Sequence, residues 1–179
     1  MVNKPNKSNS IRYCPKCGNS GFHKDTYKSY TCKSCDFCIF INTAAAVAGI
    51  ITNDDNEILM TIRRFEPAKG KLDLPGGFIE KNETAEHALK REIKEELNID
   101  IYDLQYFMTY PNTYIYNNFT YYTLDIFYFC KSSNMDTIKV DDDVIDYKFI
   151  TPDMIDIEDN IGLNSIKFVI EKLNTKCKK

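Results

Sequence analysis

Between Leu74 and Ile99 the chain reads LPGGFIEKNETAEHALKREIKEELNI, a stretch that puts carboxylates where a buried helix face needs apolar groups. At about 100° per residue, the helical period, Ala85, Ala88, Leu89, Ile93 and Leu97 gather into one stripe, and Glu92 and Glu96 fall inside it. Glu95 flanks them, so like charges are neighbours on one helix surface, which opposes folding unless a cation offsets it. Lys90, Lys94 and His87 project to the other side. An ordinary amphipathic helix keeps its glutamates in water, because an unpaired buried charge is so costly. The pattern predicts a helix over Thr84 to Leu97 whose inner face is a chemical site as well as core, with a divalent ion as the simplest partner.

Oxygen-only ligands suit magnesium or manganese, which keep some waters and bind substrate phosphates beside the carboxylates. Pro75, Gly76 and Gly77 read as a tight bend, poor in side chains, that can approach a ligand or offer the Gly77 carbonyl to the metal. Asn82 or Thr84 can cap the helix, and Asn98 can take the left-handed position that ends it.

These residues resemble the Nudix box: a Gly, five residues, Glu, seven residues, then Arg-Glu-apolar-x-Glu-Glu-x-Gly-apolar. Gly77, Glu83, Arg91, Glu92, Ile93, Glu95, Glu96 and Ile99 match, and Asn98 stands where the family usually has Gly. The resemblance implies hydrolysis of a nucleoside diphosphate linked to another moiety, such as ADP-ribose or NADH, with Glu92, Glu95 and Glu96 as magnesium ligands. Glu83 and Arg91 would support them, since an arginine fork fixes carboxylate rotamers.

Upstream, Cys14-Pro15-Lys16-Cys17 and Cys32-Lys33-Ser34-Cys35 form two CxxC knuckles separated by fourteen residues, the spacing of a tetrahedral structural zinc site. The segment between them, Phe22 to Thr31, reads as a polar hairpin too small to fold by burial alone, so zinc supplies the folding free energy. His23 and Cys38 are spare ligands, expected to be bystanders. Cys130 and Cys177 are expected to be free thiols, and the odd count of 7 cysteines argues against a disulfide framework.

With 179 residues and 43% hydrophobic content, the chain allows one medium domain and a small appendage: a ribbon over 1–40, including a disordered start, and a hydrolase domain over 41–175. A net charge of -3 argues against a general nucleic-acid or membrane-surface binder, so phosphate recognition must be local. The opening MVNKPNKSNS is polar and no apolar run reaches membrane-spanning length, so a cytoplasmic location is expected.

Thr43 to Thr52 is a strand of short apolar residues, with Glu57 to Ile62 returning as its hairpin partner after an Asn-Asp turn. The small side chains would let a helix or substrate come close. Arg63, Arg64, Lys69 and Lys71 precede the box, and Arg63 and Arg64 are the candidate cations for a diphosphate. Leu104 to Tyr110 and Phe119 to Phe129 read as strands joined through turns at Pro111-Asn112 and Asn117-Asn118. Tyr110, Tyr114 and Tyr116 sit at these bends, and Tyr110 is the candidate for stacking on a base. Asp141-Asp142-Asp143 precedes a strand over Val144 to Ile150. Nudix enzymes commonly add an acid from a late loop, which makes Asp143 the candidate extra ligand or general base. Leu163, Ile166, Ile170 and Leu173 mark a closing amphipathic helix.

The elements amount to an α+β pattern, and the resemblance implies a Nudix αβα sandwich behind a four-cysteine zinc ribbon. That order is similar to NADH pyrophosphatases, although Met108 to Tyr114 replaces their SQPWPFPxS stretch. The expected partner is a nucleoside diphosphate-type small molecule. Neither a membrane nor a nucleic acid is called for, and a homodimer stays open. Two other activities compete: a nucleotide sensor or RNA-binding module on the same fold, and an isomerase of isoprenyl diphosphates.

Overall fold

The computed structural model describes residues 11–176 apart from 27, 118 and 142. Asn118, Asp142, Cys177, the lysine tail and the opening decapeptide lie outside the described residues. The chain divides into two compact units, residues 1–43 with 115–121, and residues 44–114 with 122–179.

In the first unit, β1 (Phe22–Lys24), β2 (Ser29–Cys32) and β3 (Cys38–Phe40) form an antiparallel sheet in that order. The hairpin between the knuckles is present, and β3 adds a third strand to it. Both knuckles close in the same way. Gly18 N–H donates to the Cys14 carbonyl at 2.8 Å and Asp36 N–H to that of Cys32 at 3.0 Å. Gly18 and Asp36 are left-handed, at φ 73° and 55°. Phe22 stacks on Tyr30 with centroids 5.6 Å apart beside buried Cys14 and Cys32, a core of very few side chains.

The second unit holds two sheets. One has the order β10-β5-β6, from β5 (Ile58–Arg63), β6 (Leu72–Asp73) and β10 (Val144–Ile150). The other has the order β7-β4-β9-β8, from β4 (Ala44–Ile51), β7 (Gly76–Phe78), β8 (Ile101–Tyr116) and β9 (Phe119–Ser132). Side chains alternate along β4 and β5 with period two. Val47, Ile51 and Leu59 face the core of α1 (Ala85–Leu97), while Ala48, Ile50 and Met60 face that of α3 (Asn164–Lys176). A short α2 (Ile157–Asn160) precedes α3. This is the expected α+β sandwich, and β10 and the closing helix stand where the sequence pattern puts them.

Three local expectations are corrected. First, β5 is not the hairpin partner of β4. Only an isolated bridge joins Thr52 to Ile58, because β9, parallel, and β7, antiparallel, already occupy both edges of β4. Second, Pro111-Asn112 is not a turn, since β8 runs through it. β8 is an edge strand, where a proline's missing N–H costs no ladder bond. Third, Gly76 and Gly77 are strand rather than bend, with Val47 opposite Gly77 and Ala48 opposite Gly76. Gly76 has φ 146°, and a Cβ there would collide with the Val47 carbonyl, so only glycine fits. The small residues of β4 do admit a helix: a Cβ on Gly49 would lie 2.9 Å from Ile93 Cδ1.

Candidate active site

Helix α1 is capped as its sequence predicts. Thr84 Oγ1 accepts from His87 N–H at 3.2 Å, and Asn98 is left-handed at φ 56°. Ala88, Leu89, Ile93 and Leu97 are buried, and Glu96 is buried among them at 7% exposure. Its carboxylate accepts from Gly76 N–H at 3.0 Å. Burial pushes the Glu96 carboxyl well above the usual range, against the pull of the Gly76 bond, and the charges of Asp73, Glu92 and Asp143 push the same way.

Arg91 organises the rest of the cluster. Its Nε and Nη2 grip both oxygens of Glu83 at 2.9 Å, while Nη1 reaches Glu92 at 2.9 Å and Glu95 at 3.0 Å. Nη2 also donates to the Phe78 carbonyl at 3.1 Å, tying α1 to β7. Five acceptor oxygens on four residues hold this guanidinium charged and fix its plane. The Glu83 carboxyl is held below the usual range, chiefly by its Arg91 bonds.

Gly76, Gly77, Glu92, Glu95, Glu96, Arg91 and Asp143 line one open cleft. Asp143 arrives on the loop before β10. That loop is anchored by Asp141 N–H on the Glu96 carbonyl at 2.9 Å and by Arg64, whose N–H donates to the Asp143 carbonyl at 2.8 Å. The cleft supplies hard oxygen donors and room for water, as a magnesium or manganese ion requires. Among the described residues its carboxylates do not gather as tightly as the ribbon's four sulfurs, which lie within 4.8 Å of one another. Glu92 and Glu95 are drawn toward Arg91 instead.

Gly77 is needed beside Glu92. A Cβ there would fall on the Glu92 carboxyl group, 2.5 and 2.7 Å from its oxygens. Gly77→Ala should therefore displace the Glu92 carboxylate from Arg91 with little loss of stability, since only the flexible end of that side chain has to move, and should weaken apparent magnesium affinity instead. Thermal unfolding beside a magnesium titration of turnover checks this, and an unaltered titration would mean that the position of Glu92 does not matter.

Gly76, Gly77 and Phe78 also border a second pocket, with Val47, Leu74, Phe127, Leu163 and Ile166 as apolar lining. Its polar groups are Arg63, Asp73, Asn112, Thr123, Asp125 and the Tyr114 phenol. Arg63 pairs with buried Asp73 at 2.5 Å. Burial raises the Asp73 carboxyl despite that arginine. Sequence reading singled out Arg63 and Tyr114 and missed the others. A signal existed: Thr123 and Asp125, two apart, share one face of an otherwise apolar and aromatic strand.

The remaining candidates lie elsewhere. Arg64 Nη2 donates to the Val144 carbonyl at 2.7 Å, so it pins the Asp143 loop rather than entering the pocket. Tyr110 is not with the carboxylates. Its ring stacks on Phe168 of α3, centroids 4.2 Å apart, beside a separate groove. Tyr114 lines the pocket instead, and Tyr116 is exposed. Lys71 Nζ donates to the Asp159 carbonyl.

In the ribbon, Cys14 and Cys35 sulfurs lie 3.8 Å apart and those of Cys17 and Cys32 3.6 Å. A tetrahedral zinc with Zn–S near 2.3 Å needs edges of about 3.8 Å, so the four thiols fit that ion. His23 is turned to Asp25 at 2.9 Å, and neither it nor exposed Cys38 belongs to the cluster.

The family model of the NUDIX domain matches residues 42–169. An ADP-ribose pyrophosphatase of Methanocaldococcus jannaschii is 49% identical over 61 residues, 34% of this chain and 36% of that protein. A NAD-capped RNA hydrolase NudC of Vibrio atlanticus is 28% identical over 102 residues, 57% of this chain and 37% of that protein. The matched segments thus span little more than a third of those relatives. A crystal structure of a NUDIX hydrolase from Nitrosomonas europaea superposes with a TM-score of 0.71 at 21% identity, covering 94% of this chain and 93% of that one, which shows the shared fold.

Proposed function

Because the chain belongs to the Nudix family, we propose that it hydrolyses the diphosphate bond of a nucleoside diphosphate linked to another moiety, ADP-ribose being the first substrate to test. The observation that carries this reading is Glu96. It is a carboxylate buried at 7% exposure, beside Glu92 and at the edge of a cleft that shares the Gly76–Phe78 wall with an organic-sized pocket. The Gly76 N–H bond needs only an acceptor oxygen there, whereas a diphosphate substrate with its cation needs a charge. The name of the M. jannaschii relative points to the same substrate class.

Glu92, Glu95 and Glu96, with the Gly77 carbonyl, would hold magnesium or manganese. When bound, the ion supplies charge neutralisation of the diphosphate and acidifies a water. Asp143, exposed on the same cleft, would take the proton as that water attacks one phosphorus and the phosphate bearing the other half leaves. Arg91, fixed by Glu83, keeps the Glu92 and Glu95 rotamers in register. Cys14, Cys17, Cys32 and Cys35 would hold a structural zinc that closes the ribbon, and with all four positions filled by protein the ion stays out of the chemistry. Residues 41–175 would act as the hydrolase domain. No helix among the described residues is long and apolar enough to cross a membrane, and we place the protein in the cytoplasm.

Arg91→Lys keeps the charge and loses the fork. Apparent magnesium affinity should fall about 10–100-fold, the usual cost of losing a group that orients metal ligands. A magnesium titration of turnover checks this, and an unaltered titration would remove Arg91 from the account. The function itself is tested by presenting ADP-ribose, NADH, nucleotide sugars, nucleoside triphosphates and isopentenyl diphosphate with and without magnesium. Metal-dependent monophosphate products from the diphosphate-linked nucleosides are expected. Isomerised isopentenyl diphosphate, or binding with no turnover, would favour the isomerase or the sensor.

A further inference from the structure

Asp125 lies on β9 at 9% exposure, lining the apolar pocket that Gly76, Gly77 and Phe78 border. Its Oδ1 accepts from Thr123 Oγ1 at 2.6 Å and its Oδ2 from Asn112 Nδ2 at 3.2 Å. Asn112 is itself fixed, because its Oδ1 accepts from Thr113 N–H at 2.9 Å. The carboxylate is thus oriented by two neutral donors. A carboxylate accepts about four hydrogen bonds, so acceptor capacity remains. The pocket's one arginine, Arg63, is spoken for by Asp73.

Two carboxylates against one guanidinium exclude a phosphate from this end of the pocket and favour N–H or O–H donors. The walls decide between them. Ala46, Phe78 and Leu163 offer accessible apolar surface suited to a flat ring, whereas sugar hydroxyls would leave it unused. Building on the hydrolase reading, we propose that Asp125, oriented by Asn112 and Thr123, selects substrates whose nucleobase carries an exocyclic amino group, accepting one of its N–H bonds.

AMP separates this site from the chemistry, because it holds the base and has no diphosphate to cut. Its affinity for the full-length protein and for Asp125→Asn is measured by calorimetry, beside purine riboside 5′-monophosphate, which lacks the amino group, and 2′-deoxy-AMP. Removing the amine should weaken binding to the wild type roughly tenfold or more, as expected for a bond to a charged acceptor. It should weaken binding to Asp125→Asn by less than it does in the wild type, since the amide keeps one acceptor oxygen and loses the charge. The wild-type comparison needs no variant, so it stands if Asp125→Asn does not fold. Absent AMP binding, an amine effect equal in both proteins, or discrimination confined to the 2′-deoxy ligand would overturn the proposal. A failed turnover assay alongside intact amine discrimination would instead count against the hydrolase reading alone.

Discussion

Glu96→Gln is expected to lower turnover by on the order of 10²–10⁴-fold, equivalent to several kcal/mol of lost charge stabilisation in the transition state. The substitution keeps size, helix propensity and an oxygen to accept from Gly76 N–H, and removes only the charge. Metal-free stability should move the other way. Glu96 has a folded pKa raised above its unfolded value, by burial first and then by Asp73, Glu92 and Asp143. Between the ordinary and the raised pKa the native state binds more protons, so at neutral pH this carboxylate opposes folding, and the penalty fades as pH falls from the raised pKa into the ordinary carboxylate range. Metal-free Glu96→Gln should be as stable as the wild type or more so at neutral pH, with the difference shrinking in acid. Magnesium should raise the melting temperature of the wild type and leave the variant nearly unmoved. A destabilised but active variant would make Glu96 an ordinary structural group.

The second large effect is in the ribbon. Structural zinc contributes roughly 10–16 kcal/mol in small finger peptides, and among the described residues the hydrophobic centre here is the small cluster of Cys14, Phe22, Tyr30 and Cys32. Stripping the metal with a strong chelator, or replacing fully buried Cys32 with serine, should open residues 11–43 to protease. Hydrolysis of a small substrate should survive, since none of the proposed catalytic groups lies in that unit. Metal analysis should return one zinc per chain. A zinc-free protein with a protease-resistant ribbon would contradict the assignment.

What could be read from the sequence was what is local. The period of Thr84 to Leu97 located α1, its caps and the odd placement of Glu96, because helical faces are set by residues three and four apart. The cysteine spacing located the four thiols because each CxxC knuckle is a local turn that presents two sulfurs together. Partners brought together across the sheets were not legible. β4 reads like half of a hairpin, and only its pairing with β9, some 80 positions away, shows why β5 must go elsewhere. Pro111 looks like a turn unless one knows that β8 is an edge. Asp73 and Asp125 come from separate sheets, and only the folded unit puts both on one pocket.

The central claim is that water cleaves a diphosphate bond at the α1 carboxylates. Full-length protein, ADP-ribose and magnesium in oxygen-18 water test it most directly, with products followed by phosphorus NMR and mass spectrometry. AMP and ribose 5-phosphate should accumulate together, with one labelled oxygen on one of the two phosphates and no reaction once the divalent metal is chelated. Intact ADP-ribose, release of inorganic phosphate, or turnover indifferent to metal would contradict it.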